Sequence, residues 1–212
     1  MAGIGIGPEE FAIFEIDDPD RRAAALEDRV QPRLAWLGDE IADGLSRVAG
    51  KPLHPHCPRV RHRKGAAPVE LFVGFSENPR GLAGQPFLAL ALSRGQLHAR
   101  VAVRGESART AAMRRALVRE APNLARKGKP FRKLRQYLRW DGQELPEIAP
   151  AHSAAFWQEV AMGLGPGGRG RSPGFDLGVA WSREEARSLA VGDVLGAFRD
   201  LAPLYKLLAN AS

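Results

Sequence analysis

Arg59, Arg61 and Arg63 alternate along one short stretch, LHPHCPRVRHRK from Leu53 to Lys64. In an extended strand all three side chains point to one side, with His62 and Lys64 on the other. Such a ladder of planar, forked donors grips phosphates or carboxylates bidentately. The competing reading is an edge strand whose charges prevent pairing with another sheet. A fourth arginine, Arg80, follows in Glu77-Asn78-Pro79-Arg80-Gly81, a turn whose glycine permits close backbone approach to a ligand. His56 stands beside these arginines and is the candidate acid/base for an anionic substrate, with Arg63 and Arg80 as clamps.

Other chemistry is less well supported. His54, His56, Cys57 and His62 are metal-ligand types, but prolines and arginines separate them and nearby acids are scarce, so no metal and no cofactor are expected. Cys57 has no Cys-His-Asn context and reads as an inert thiol. The glycine-rich GPGGRGRSPG at 165–174 lacks the Gly-Lys-Ser/Thr ending of a phosphate loop.

Charge separates along the chain. Residues 1–50 carry 5 basic and 11 acidic side chains, residues 51–140 carry 20 and 4, and residues 141–212 carry 6 and 9. The net values, −6, +16 and −3, sum to the formal +7. Either the acidic flanks fold back on the basic middle, or the middle offers a positive surface to an anion such as nucleic acid. Phe72, Phe75, Tyr137 and Trp140 lie near these cations and are candidates for base stacking, with core packing the stronger reading for the two phenylalanines. The stretch 126–139 (RKGKPFRKLRQYLR) has no acid at all. Arg115 and Arg119 are like charges one helical turn apart, a repulsion that a bound anion relieves.

The elements that position these residues follow from periodicity. Asp18-Pro19 opens a helical region in which Leu26, Val30, Leu34, Leu37, Ile41 and Leu45 recur at helical spacing, with Pro32 dividing it near Gln31. Gly50-Lys51-Pro52 ends it. Residues 70–76, 86–93 and 96–103 alternate as strands, the last two joined as a hairpin. In the second of that pair His98 and Arg100 alternate with apolar residues, which predicts a solvated face. Helices follow at 107–120, with Ala112, Met113, Ala116 and Leu117 buried, and at 150–164. A strand is expected at 136–141 and another at 175–181. Ser182 and Glu185 form a capping box before a final amphipathic helix. Grouped, hairpin-linked strands flanked by helices indicate an α+β fold and not a doubly wound parallel sheet.

Leu53–Phe75 also resembles the YktB-like family of uncharacterised bacterial proteins. Its members run Pro-His-x-x-Lys-His-x-Arg-Arg, then Pro-Pro and Asp-Thr-Trp-Val-Ala-Phe. Pro55, His56, Arg63, Pro68, Val73 and Phe75 fall on matching positions, and Arg59 replaces a lysine. Further resemblances are Phe11/Phe14, Pro32-Arg33-Leu34, Leu37-Gly38, Arg80-Gly81 and Leu204-Tyr205-Lys206. The chain departs from the pattern at Val60, His62, Leu82-Ala83 and Phe87. The resemblance implies residues 1–212 as a single α+β domain, with a curved antiparallel sheet packed against helices at both chain ends. It implies no established activity.

No run of about 18 apolar residues is present, no secretory signal is visible, and one cysteine forms no internal disulfide. A cytoplasmic protein is expected. The leading functional expectation is a non-enzymatic binder of a polyanion, nucleic acid foremost, through Arg59, Arg61, Arg63 and Arg80. The alternatives are an enzyme or small-ligand binder for a phosphorylated or carboxylated metabolite, and a protein-interaction module using the acidic N-terminal helices.

Overall fold

The computed structural model describes residues 3–60, 68–104, 109–127, 131, 134–136, 148–164 and 174–212. A short helix α1 (Pro8–Ile13) precedes α2 (Pro19–Ala25), capped by Asp18, whose Oδ1 accepts from the Arg21 amide at 2.8 Å. One wide π-turn, Leu26–Val30, joins α2 to α3 (Gln31–Ala49). The division expected near Gln31 is therefore a change of winding. Pro32 brings no N–H to the helix, and the wider turn absorbs the interruption. Gly50 closes α3 at φ +75°, a left-handed cap that favours glycine, and its amide reaches the Ser46 carbonyl at 2.9 Å.

The sheet comprises β1 (His54–His56), β2 (Glu70–Ser76), β3 (Pro86–Ser93) and β4 (Gln96–Arg104), followed after α4 (Thr110–Arg126) by β5 (Arg135–Gln136). Helix α5 (Ala154–Met162) leads to β6 (Gly174–Ser182), α6 (Arg183–Ser188) and α7 (Val191–Ala209). The strand order is β1-β2-β3-β4-β6-β5, and every neighbouring pair is antiparallel. The α+β class follows directly from this arrangement, with helices before and after an open antiparallel sheet.

Alternation assigns one face of the sheet to the core. Val73, Phe75, Leu88, Leu90, Ala99, Val101 and Leu177 are fully buried there, together with Leu34, Leu37 and Ile41 of α3 and Phe198, Leu201 and Leu204 of α7. Phe75 and Phe198 meet edge-on, with centroids 6.4 Å apart. Gly44 allows α7 close to α3, since a Cβ there would lie 2.8 Å from Leu195.

Several expectations need correction. Helix α4 continues through Pro122 to Arg126, six residues past the expected end; Pro122 sits on the exposed side, where a lost backbone bond is met by water. Helix α5 spans only Ala154–Met162. The strand expected at 136–141 is represented by Arg135–Gln136, and residues 137–141 lie outside the described residues. The capping box at Ser182 is present, with bonds of 2.7 and 3.2 Å to and from Glu185.

Candidate functional site

The face of the sheet turned away from α3 and α7 carries the charges. Residues His98, Arg100 and Arg104 alternate along β4, and His98 and Arg100 are completely buried. The expected solvated face is thus overturned. What satisfies these side chains is a pair of carboxylates from neighbouring strands. Arg100 donates to both oxygens of Glu70, at 2.8 and 2.5 Å. To do so it crosses β3, whose residues on this face between the two are Ala89 and Ala91, too small to block the path. Asp176 of β6 lies 3.8 Å from Arg100 Nε and accepts from Arg104 at 3.1 Å. His98 Nε2 is 3.4 Å from Glu70. Two guanidinium groups thus face two carboxylates. Burial, and then the fields of Arg100 and Arg104, hold the His98 imidazole well below its usual pKa, so it stays neutral. Bidentate geometry suits a dry environment, where a lone charge is costly. Glu70 and Asp176 were missed in the sequence; the available signal was one acid at an outward position of each otherwise apolar strand.

The predicted site residues fall elsewhere. His56 ends β1 and its Nε2 lies 3.0 Å from the Asn78 carbonyl oxygen. Asn78 Oδ1 accepts from the Arg80 amide at 2.9 Å, and the Ser76 hydroxyl is within donating distance of either the Asn78 or the Gly81 carbonyl, at 3.1 and 3.0 Å. His56 and Ser76 therefore brace the turn that displays the exposed Arg80. Arg59 is exposed but not on a strand, because β1, which runs antiparallel to β2 and away from the Arg80 turn, stops at His56. The rest of the expected ladder, Arg61 and Arg63, lies outside the described residues, as do Tyr137 and Trp140. Phe75 is core, and Phe72 stacks on Phe87 with centroids 6.2 Å apart. Burial pushes the Cys57 thiol up to about 11, leaving it protonated and unreactive near neutrality. Among the described residues no three His, Cys, Asp or Glu side chains are placed to hold a metal ion.

The largest exposed concentration of described cations lies on α4. Arg114, Arg115, Arg119, Arg126 and the following Lys127 are all exposed, because Ala112, Met113, Ala116, Leu117 and Leu124 commit the other side of the helix to the core. A groove of about 450 Å³ runs between α4 and the end of α7. Among the described residues, acids of the first fifty form ion pairs with Arg29 (Glu9, 2.6 Å) and Arg183 (Glu15, 2.5 Å), neither of which belongs to the basic middle. The α4 cations face outward, Arg119 with its Nε 3.5 Å from the adjacent Glu120.

No helix among the described residues is long and apolar enough to cross a membrane. The chain is 36% identical over 90 residues to a UPF0637 protein of Staphylococcus saprophyticus, which covers 42% of this chain and 44% of that one. It is 30% identical over 97 residues to a UPF0637 protein of Staphylococcus epidermidis (46% and 48%) and 34% identical over 83 residues to one of Bacillus cytotoxicus (39% and 40%). It therefore spans less than half the length of the curated relatives it matches. The family described as "Domain of unknown function (DUF1054)" matches residues 7–148, which takes in α1 to α4 and the four-stranded run β1–β4 with Glu70, His98 and Arg100. On that match, over more than half of its residues, the chain belongs to this family of uncharacterised bacterial proteins.

Proposed function

We propose that the protein binds a polyanion, the phosphate backbone of a nucleic acid, through the cations of residues 51–140, with α4 as its principal contact. The observation that carries this reading is the disposition of Arg115, Arg119 and Arg126. At about 100° per residue these three fall within roughly 40° of one another around the helix, and they span about 16 Å along it. All three are exposed. A straight row of arginines of this length follows successive phosphates and carries no sequence information, so binding is governed by charge. Arg59 and Arg80 extend the positive surface. The metabolite-enzyme alternative asks His56 to act as acid or base together with Arg63 and Arg80; the bond to the Asn78 carbonyl instead gives His56 work in holding the turn.

Fluorescence anisotropy with generic duplex DNA and RNA tests this reading. Three phosphate contacts on a duplex give a log–log salt slope of about −2.7, so affinity falls roughly 40-fold between about 50 and 200 mM salt. Replacing Arg115, Arg119 and Arg126 together by Gln is expected to flatten the slope by about that amount, with no change in sequence preference. Absence of binding at about 50 mM salt refutes the proposal.

A further inference from the structure

We infer that the groove between α4 and α7 is a pocket for a phosphomonoester carried on an apolar body. The inference overlaps the proposed function at Arg115, Arg119 and Lys127, which serve both surfaces. It stands otherwise on residues the polyanion reading does not use.

The groove is positive on both walls. Arg115, Arg119 and Lys127 line it from α4, and Lys206 faces them from α7, with the amides of Asn123 and Asn210 between. Glu120 is the one acidic side chain among the lining residues, against four basic ones. Glu120 is already engaged: Asn123 donates to it at 2.8 Å and Arg119 Nε lies 3.5 Å away, and this bond to Asn123 is the main reason its pKa is lowered. Cations near helix C-termini are ordinary complements of the helix dipole, and that accounts for Lys127 and for Lys206 in the last turn of α7, where Arg109 Nη2 also donates to the Ala209 carbonyl at 2.5 Å. It does not account for the two arginines. Arg115 and Arg119 lie in the middle of α4, one turn apart, where like charges repel by a few tenths of a kcal/mol.

The floor defines the rest of the ligand. Ala112, Ala116, Pro203 and Leu207 give the groove an apolar base, and none of its lining residues is aromatic. Nothing there stacks on bases as in single-strand channels. The volume of about 450 Å³ falls within the range of small-molecule sites. A phosphomonoester carries close to two charges at neutral pH and three terminal oxygens. A backbone diester offers one charge, and a carboxylate one charge and two oxygens. Several convergent cations with amide donors therefore favour the monoester, while the floor takes its apolar part. Two sources supply that chemistry: the 5′-terminal phosphate of a nucleic acid, and a free phosphorylated compound.

Isothermal titration with 1-naphthyl phosphate provides the test, with 1-naphthol and inorganic phosphate as the two half-ligands. Naphthyl phosphate is expected to bind at least ~10-fold more tightly than either, since the groove offers both a charged wall and an apolar floor. Lys206→Gln is expected to weaken it ~10-fold, the loss of one charge-assisted contact. Arg114→Gln with Arg126→Gln, at exposed positions that do not line the groove, is expected to leave it unchanged while weakening duplex binding. A 5′-phosphorylated oligonucleotide that binds more tightly than its 5′-hydroxyl twin, with the difference lost in Lys206→Gln, supports the pocket and names the strand end as source. Equal binding of the two oligonucleotides, with naphthyl phosphate still bound, supports it and names the free compound. Failure of naphthyl phosphate to bind at millimolar concentration, or binding indifferent to Lys206→Gln, overturns the inference whether or not duplex DNA binds.

Discussion

Removing Arg100 should unbalance the sheet more than any surface substitution. Arg100→Leu fills most of the side chain's volume but deletes the guanidinium that lies between Glu70 and Asp176. Glu70 then loses two short bonds, at 2.8 and 2.5 Å, and keeps Arg104 at 3.7 Å as its nearest cation, one half-exposed and shared with Asp176. The Glu70 carboxylate is only 8% exposed, so water cannot replace what is lost. Breaking a buried pair on one side costs about 3–5 kcal/mol. Urea unfolding of wild type and Arg100→Leu, read by circular dichroism, measures this loss as a lower midpoint. The double variant Glu70→Gln/Arg100→Leu removes both charges and should recover a good part of the loss, since the penalty comes from the stranded carboxylate. A single variant within about 1 kcal/mol of wild type, with no coupling to Glu70, would falsify the view that this pair organises the buried face.

Two further outcomes follow. The folded-state pKa of His98 lies well below its ordinary 6.5, so as pH falls below about 6.5 the unfolded chain takes up a proton that the folded chain refuses; stability declines by up to about 1.4 kcal/mol per pH unit down to the folded pKa, and His98→Gln should flatten the stability–pH curve in that window relative to wild type. His56→Ala should lower stability by about 0.5–1.5 kcal/mol through loss of the bond to the Asn78 carbonyl, with duplex affinity unchanged; an unaltered melting temperature together with lost binding would show the opposite role.

What the sequence made legible and what it hid have the same physical cause. Strands β2, β3 and β4, the π-divided helix and the Ser182 capping box are local patterns, written in neighbouring residues, and each could be read before the fold was known. The partners of Arg100 are not local. Glu70 lies 30 residues before it and Asp176 lies 76 residues after it, and they meet only because the strand order β2-β3-β4-β6 puts β2 on one side of β4, across β3, and β6 on the other. Without that topology, alternation of His98 and Arg100 with apolar residues could mean either water or buried acids, and the commoner meaning was the wrong one here. The arginine row on α4 was half legible. Arg115 and Arg119 stood out as an unrelieved repulsion, whereas Arg126 joined them only because the helix ran through Pro122. Lys206 could not be placed opposite Arg115 and Arg119 from sequence at all, since some ninety residues intervene and only the packing of α7 against α4 brings it there. Charge that is segregated along a chain therefore indicates an electrostatic surface but not its location. The location is decided by which cations find carboxylates across the sheet, as Arg100 does, and which, like those of α4, are left facing outward.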